Sequence, residues 1–150
     1  EVAEHTDWGV LILFGGGLAL GEVLATSGAS LVLGQQVASL LQGAAPWTML
    51  LAVAAFMVLL SEFASNTAAA ALLVPVFAAV ASQMGLPVET LVIVVALAAS
   101  CGFALPVATP PNALVFGSGR VRQRDMLRAG LSLDLVCVVV LTLWGLLALY

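Results

Sequence analysis

Two short polar runs stand out in a chain built otherwise of aliphatic residues. One is Ser65-Asn66-Thr67, with Ser61 and Glu62 just ahead of it; the other is Thr109-Pro110-Pro111-Asn112, with Pro106 just ahead. Ser, Asn and Thr favour helix N-caps over helix interiors, and proline is at home in a helix's first turn. Each run therefore reads as a place where one helix ends and another begins. The ending helices, near Ala64 and Val107, leave free carbonyls, hard oxygen donors suited to a small alkali cation. The starting helices, near Ala68 and after Pro110, carry partial positive charge and free N–H groups that suit an anion. Broken helices that hold a cation at carbonyl ends and an anion at amide ends recur in secondary transporters. No Lys or Arg falls in either run, so an anion there would rely on amide dipoles, hydroxyls and a co-bound cation. The plainer reading is two structural kinks in a membrane scaffold.

Other chemistry lacks its parts. Ser65 has no His or Lys near it in sequence, and the one histidine, His5, reads as solvated in the leading segment. There are no paired carboxylates and no HExxH, so no catalytic residue is assigned. Cys101 and Cys137 lie in apolar surroundings with no partner at metal-ligand spacing, which encodes neither a disulfide framework nor a zinc site. Gly15-Gly16-Gly17 with Gly21 lacks the GxGxxG spacing of a phosphate loop; Gly17 and Gly21 instead match close packing between membrane helices. Of the acids in apolar segments, Glu22 and Asp134 read as lying near an interface or facing protein. Glu62, four residues before Asn66, is compatible with a place beside a cation or with a protonated carboxyl held against a helix.

The elements that must position these runs follow from composition. The 150 residues are 63% hydrophobic and 8% charged, with a mean hydropathy of +1.19. Soluble domains carry about 45–50% apolar and about 25% charged residues, so the solvent implied is a bilayer. Four Arg and no Lys against eight acids give a net charge of −4 and no basic stripe for nucleic acid. A spanning helix needs about 20 mostly apolar residues, which residues 8–28 and 127–150 supply. Residues 29–46 contain Gln35, Gln36, Ser39 and Gln42 among Leu and Val and predict a short amphipathic helix along the interface. Residues 47–84 form two apolar arms around the tip 65–67, either two full spans or a re-entrant hairpin. Residues 90–119 are too long for one straight span, and their prolines break them. The expectation is a half helix from Thr90 to about Leu105, an unwound stretch, and a short helix from Asn112 to Ser118. Unwound backbone at membrane depth survives only where protein buries it or it lines a wet cavity.

All four arginines, Arg120, Arg122, Arg124 and Arg128, lie in the loop 120–128, which the positive-inside rule places in the cytoplasm. The last helix then runs outward, the broken helix inward, and the hairpin enters from outside. Residues 1–7 are acidic, unlike a cleavable signal peptide. The absent initiator Met and the abrupt termini suggest a piece of a longer protein. Arginine bias fits a bacterial inner membrane.

The stretch from Ser61 through Ala68, with Leu72-Leu73-Val74-Pro75, resembles the Ser-Asn-Thr signature of the divalent anion/sodium symporter family. Leu105-Pro106-Val107-Ala108-Thr109-Pro110-Pro111-Asn112-Ala113, with Val115-Phe116-Gly117-Ser118-Gly119, is similar to that family's second signature, and Phe14-Gly15-Gly16-Gly17 to a third, less specific one. The resemblance covers nearly the whole chain. It implies an all-α integral membrane fold, here one inverted-topology repeat, the C-terminal one, of a sodium-coupled carrier of C4 dicarboxylates such as succinate, malate or fumarate; some members carry citrate or sulfate. It also implies that the tip 65–67 belongs to a re-entrant hairpin opening outward. By position, Asn66 and Thr67 would contact a substrate carboxylate, with Thr109 and Pro110 across the site. Ser61, Ala64, Ser65 and Asn66 would give oxygens to one sodium ion, completed by backbone oxygens at Ala108 and Pro110. The family is dimeric and moves its transport domain as an elevator.

One departure matters. The family uses two such repeats of opposite orientation, and this chain has a single Ser-Asn-Thr. Half of the substrate shell and a second sodium site would come from an N-terminal repeat, and the chain alone should not transport. Sodium entering with a dianion offsets about 2.3 kcal/mol per charge per 100 mV of opposing potential, so sodium is expected to bind first and organise the anion site. Arsenite pumps and tripartite dicarboxylate carriers share broken helices and are the nearest rival readings, with a sodium-selective channel and a structural scaffold beyond them.

Overall fold

The computed structural model describes residues 12, 15–16, 19–20, 22–24, 26–41 and 43–149. Most of the first expected span, 8–28, lies outside them, as do His5, Gly17 and Gly21; its described residues between 12 and 26 are helical. All regular structure among the described residues is helical. Six helices are bounded: α1 Ala29–Leu40, α2 Pro46–Ser61, α3 Asn66–Met84, α4 Val88–Ala98, α5 Pro110–Gly117 and α6 Gln123–Ala148.

Local sequence sets the helix ends. Pro46 opens α2 after an extended Ala45. The Ser65 hydroxyl caps α3 by accepting from the Ala68 amide at 3.5 Å. At the other end of α3, Gly85 takes the left-handed conformation (φ 67°), and the Leu86 amide reaches back to the Ala81 carbonyl at 2.9 Å. This is the Schellman closure that a residue with a side chain resists. Thr109 caps α5 ahead of its two prolines.

α4 is the core of the bundle. It packs against α2, α3 and α6, and its Leu91, Val94, Val95 and Ala98 are at most 1% exposed. α2 supplies Met49, Leu50, Val53 and Met57 to the same core. α2 and α6 pack extensively, whereas α2 and α3 meet each other little and are joined chiefly through α4. α1 lies on the C-terminal half of α3, where a Cβ added at Gly34 would stand 3.0 Å from the Ala79 Cβ. The outward side of α6 is a stripe of exposed Leu131, Leu135, Val139 and Leu143, a surface written for lipid or for more protein rather than water.

α3 and α6, at 19 and 26 residues, are long and apolar enough to cross a membrane. α2, at 16 residues, and α4, at 11, extend about 24 Å and about 17 Å at 1.5 Å per residue, short of the roughly 30 Å hydrocarbon core. One expectation needs correcting here. The half helix expected to reach about Leu105 ends at Ala98. Pro106 disfavours helix at Leu105 and, through its clash with the carbonyl four residues back, at Gly102, yet unwinding starts at Ala99, where Ser61 and Glu62 at the end of α2 and Asp134 of α6 take up backbone groups that a longer helix would have used internally. The short helix starts at Pro110 rather than Asn112, the prolines forming its first turn.

Candidate functional site

The two breaks, 62–65 and 99–109, lie against each other and are stitched by side chains. Ser61, the last residue of α2, is fully buried. Its hydroxyl hydrogen is shared between the Val58 carbonyl of its own helix (2.7 Å) and the Cys101 carbonyl of the second break (2.5 Å). Gly102 makes this approach possible: a Cβ there would stand 3.0 Å from the Ser61 carbonyl oxygen, 3.1 Å from its hydroxyl and 3.3 Å from the Ala108 Cβ. Ser61 and Ala108, expected cation neighbours from opposite breaks, thus meet around Gly102.

Glu62 follows directly and is 4% exposed. One carboxylate oxygen accepts from the Ala104 amide at 2.8 Å, the other from the Leu105 amide at 2.7 Å. The acid serves here as an acceptor for unwound backbone, a contact the sequence alone did not indicate. Asp134, from the middle of α6, accepts from the neighbouring Phe103 amide at 3.3 Å. Three consecutive amides of the break are therefore held by two acids from two helices. The break is tied on its other side by Asn112, whose side-chain amide donates to the Gly102 and Leu105 carbonyls, both at 3.0 Å. Buried polar groups need such partners, so the unwound stretch is a defined structure rather than a frayed end.

The remaining expected residues line the outer side of this seam. Ala64 lies in the first break, half-buried, and Ser65 is exposed. Among the described residues no backbone N–H donates to the carbonyls of residues 61–64, which leaves them free to face a cation. Asn66 and Thr67 are half-buried at the start of α3, and the Asn66 Oδ1 is buried without a hydrogen-bond partner. Ala108 is 7% exposed, while Pro110 is exposed in the first turn of α5. Thr109 is half-buried, and its Oγ1 accepts from the Asn112 amide at 3.4 Å, which leaves the hydroxyl hydrogen available to an anion. No hydrogen bond joins Asn66 or Thr67 to Thr109 or Pro110 among the described residues.

The two helix starts are not equivalent. Sequence reasoning expected free amides at both. At α3, only Ala68 and Ala69 use their amides on Ser65, and those of Asn66 and Thr67 remain free. At α5, Pro110 and Pro111 have no N–H, Asn112 donates to the Thr109 hydroxyl and Ala113 to the Thr109 carbonyl. The α5 start offers a dipole and a hydroxyl but no free amide. The residues to which sequence reasoning gave no site role are Asn112, Gly102, Gly130 and Asp134, the last read there only as near an interface or facing protein. An acid in the middle of an apolar 26-residue helix was the available signal for Asp134.

No cationic side chain takes part, since all four arginines are exposed in the segment 120–128. Arg122 pairs there with Asp125 at 2.8 Å.

Comparison with known proteins decides the family. The model of the sodium:sulfate symporter transmembrane region matches residues 1–149. The chain belongs to that family. It is 51% identical over 97% of its length to an uncharacterized transporter of Haemophilus influenzae. It is also 41% identical over 95% of its length to a sodium-dependent dicarboxylate transporter of Staphylococcus saprophyticus, and 40% identical over 97% to an uncharacterized transporter of Methanocaldococcus jannaschii. The chain spans 32%, 27% and 33% of those three proteins, about a third of a family transporter at most. Membership makes it an integral membrane chain of a transporter family rather than an enzyme.

Proposed function

We propose that the chain is the C-terminal repeat of a symporter that carries a divalent anion, a C4 dicarboxylate such as succinate, inward with sodium. It supplies half of the substrate site and one sodium site. The observation that carries this reading is the seam itself: two helix breaks held together by Ser61 and Glu62, with free carbonyls at one end and free amides at the other. Sodium is cargo here, and its donors would be the Ser61 hydroxyl and the carbonyls of Ala64 and Ala108, with Ser65, Asn66 and Pro110 around them. The free amides of Asn66 and Thr67, with the Thr109 hydroxyl and Pro110 across the site, would take one carboxylate. The unpartnered Asn66 Oδ1 supports a role beside the ion, since a buried amide oxygen without a partner is costly.

In this reading α2, the tip and α3 form a re-entrant hairpin open to the outside, α1 lies at the interface, and α6 crosses. The short lengths of α2 and α4 favour it, because they leave both breaks at membrane depth. The missing N-terminal repeat completes the site, the native transporter is a homodimer, and the site crosses the bacterial inner membrane by an elevator motion. With no Lys or Arg at the site, a dianion cannot bind well before sodium does. More than two sodium ions per dianion would make uptake electrogenic, each uncompensated charge being driven by about 2.3 kcal/mol per 100 mV.

Radiolabelled succinate uptake into proteoliposomes holding the full-length parent tests this. Uptake under a sodium gradient, absent under potassium and lost in Asn66→Ala, is the expected result. If the wild type takes up citrate or sulfate instead, the substrate assignment changes; failure with all three ends the symport reading.

A further inference from the structure

The sodium and anion donors above come from the two breaks, and none comes from α6. Yet α6 approaches the second break more closely than packing alone requires. Asp134 is 6% exposed, and it spends one carboxyl oxygen on the Phe103 amide at 3.3 Å. Its other oxygen is buried without a hydrogen-bond partner, while Glu62 holds the next two amides of the same stretch. One turn earlier, Gly130 lets the helix in: a Cβ there would run into the Phe103 carbonyl oxygen and the Ala104 backbone. An acid is among the most expensive residues to bury at this depth, so its presence asks for a task that a leucine could not perform.

The peptide geometry shows the task. In a planar trans peptide, N–H and C=O point in opposite directions. Fixing the Phe103 N–H on Asp134 therefore turns the Gly102 carbonyl away from α6, toward the Asn112 side chain at 3.0 Å. Asn112 sits in the first turn of α5 and also donates to the Leu105 carbonyl, which accepts from the Ala108 amide at 3.2 Å. A contact made on α6 is passed through one peptide plane to Ala108, Thr109 and Pro110.

We propose that Asp134 is a positioning residue for the sodium site, setting the 102–103 peptide plane that aligns Ala108 and Pro110 with Ser61. The proposal rests on the sodium-coupled reading above for its functional consequence, and Asp134 itself touches neither ion nor substrate. What the task needs is an acceptor at this point, not a charge. Asp134→Asn keeps an oxygen for Phe103 and removes the charge. Asp134→Leu keeps the bulk and removes the acceptor.

The first measurement is the sodium concentration for half-maximal succinate uptake by the full-length parent in proteoliposomes. Asp134→Leu is expected to raise it about tenfold, the usual scale for one buried hydrogen bond, with succinate KM at saturating sodium unchanged within about twofold. Asp134→Asn is expected to stay within about twofold of wild type in both. The proposal is overturned if Asp134→Leu leaves the sodium dependence unchanged, or if sodium and succinate dependence move together. It is also overturned if Asp134→Asn fails as badly as Asp134→Leu, because charge and not acceptance would then be required. Asp134→Ala replaces the Leu variant if that one does not accumulate. The second measurement is deuterium exchange of the segment 101–108 in the purified parent, expected faster in Asp134→Leu and unchanged in Asp134→Asn. Exchange needs no transport. A wild type without sodium-dependent uptake would remove the symport reading, while unaltered exchange in Asp134→Leu would by itself remove the clamp.

Discussion

Asn112 shows how much one side chain can decide. Its amide group is the only donor among the described residues that reaches both the Gly102 and Leu105 carbonyls, so it closes the unwound stretch on the side opposite Glu62 and Asp134. Asn112→Asp keeps the shape but has no donors, and two carbonyls would then face an acceptor. A buried polar group left unpaired costs about 1–3 kcal/mol, so initial uptake at limiting sodium should fall about tenfold or more. Ser118→Ala should transport normally, since that exposed hydroxyl bonds only locally, donating to the Val115 carbonyl and accepting from the Arg120 amide. Normal uptake by Asn112→Asp would show that the stitch is dispensable. Gly130 makes a parallel point about packing. Its missing Cβ would meet backbone, which cannot rotate away, whereas a Cβ at Gly145 would meet the Leu50 methyl ends at 3.1 Å. Overpacking costs about 1–3 kcal/mol where nothing yields. Gly130→Ala should therefore lower the melting temperature of the detergent-solubilised parent by several degrees and Gly145→Ala by clearly less; equal shifts would contradict this ranking.

At the scale of elements, α5 is held by its cap more than by packing, because none of its residues is buried. Thr109→Val removes the oxygen that accepts the Asn112 amide and the hydroxyl hydrogen offered to an anion, while Thr109→Ser keeps both. A lost N-cap costs about 1 kcal/mol. Succinate KM should rise at least about fivefold in Thr109→Val and stay near wild type in Thr109→Ser; a functional Thr109→Val would remove Thr109 from the site. The two polar runs made both helix breaks legible, since Ser65 and the Thr109-Pro110-Pro111 run carry their cap chemistry in the residues themselves. The end of α4 at Ala98 was not legible. Between Ala99 and Ala104 only Gly102 disfavours a helix, and what unwinds it lies about 31 to 43 residues away in Ser61, Glu62 and Asp134. The equivalence of the two helix starts failed for a local reason: consecutive prolines supply a dipole without N–H groups. The candidate cation donors rest on helix-end logic and resemblance, whereas the contacts of the two acids with residues 103–105 required a fold in which α2 and α6 flank the same stretch of backbone.

For the whole molecule, an asymmetry in charge meets an asymmetry in burial. All four arginines cluster between the end of α5 and the second turn of α6, and beside them Val107, just before α5, and Leu114 and Val115 within it are exposed. A chain that spans about a third of its relatives' length leaves such a surface for the rest of a family transporter to cover, and on the function proposed above the chain alone should not transport. By the positive-inside rule the arginines would also set the direction in which the proposed site works. With segment 120–128 inside, α6 would run outward, the hairpin would enter from outside, and α1 would lie on the external side. Reactive cysteines test this directly. In the full-length parent with Cys101 and Cys137 replaced, Gln36→Cys should react with a membrane-impermeant maleimide on intact cells, since Gln36 lies exposed on α1. Arg122→Cys, also exposed, should react only after permeabilisation. The labelling need not be complete, because the ratio between intact and opened cells carries the answer. A reversed pattern would put the arginines outside against the positive-inside rule, and with them would turn the hairpin tip and its free carbonyls toward the cytoplasm. Equal labelling of both positions on intact cells would mean that the charge cluster does not set orientation at all.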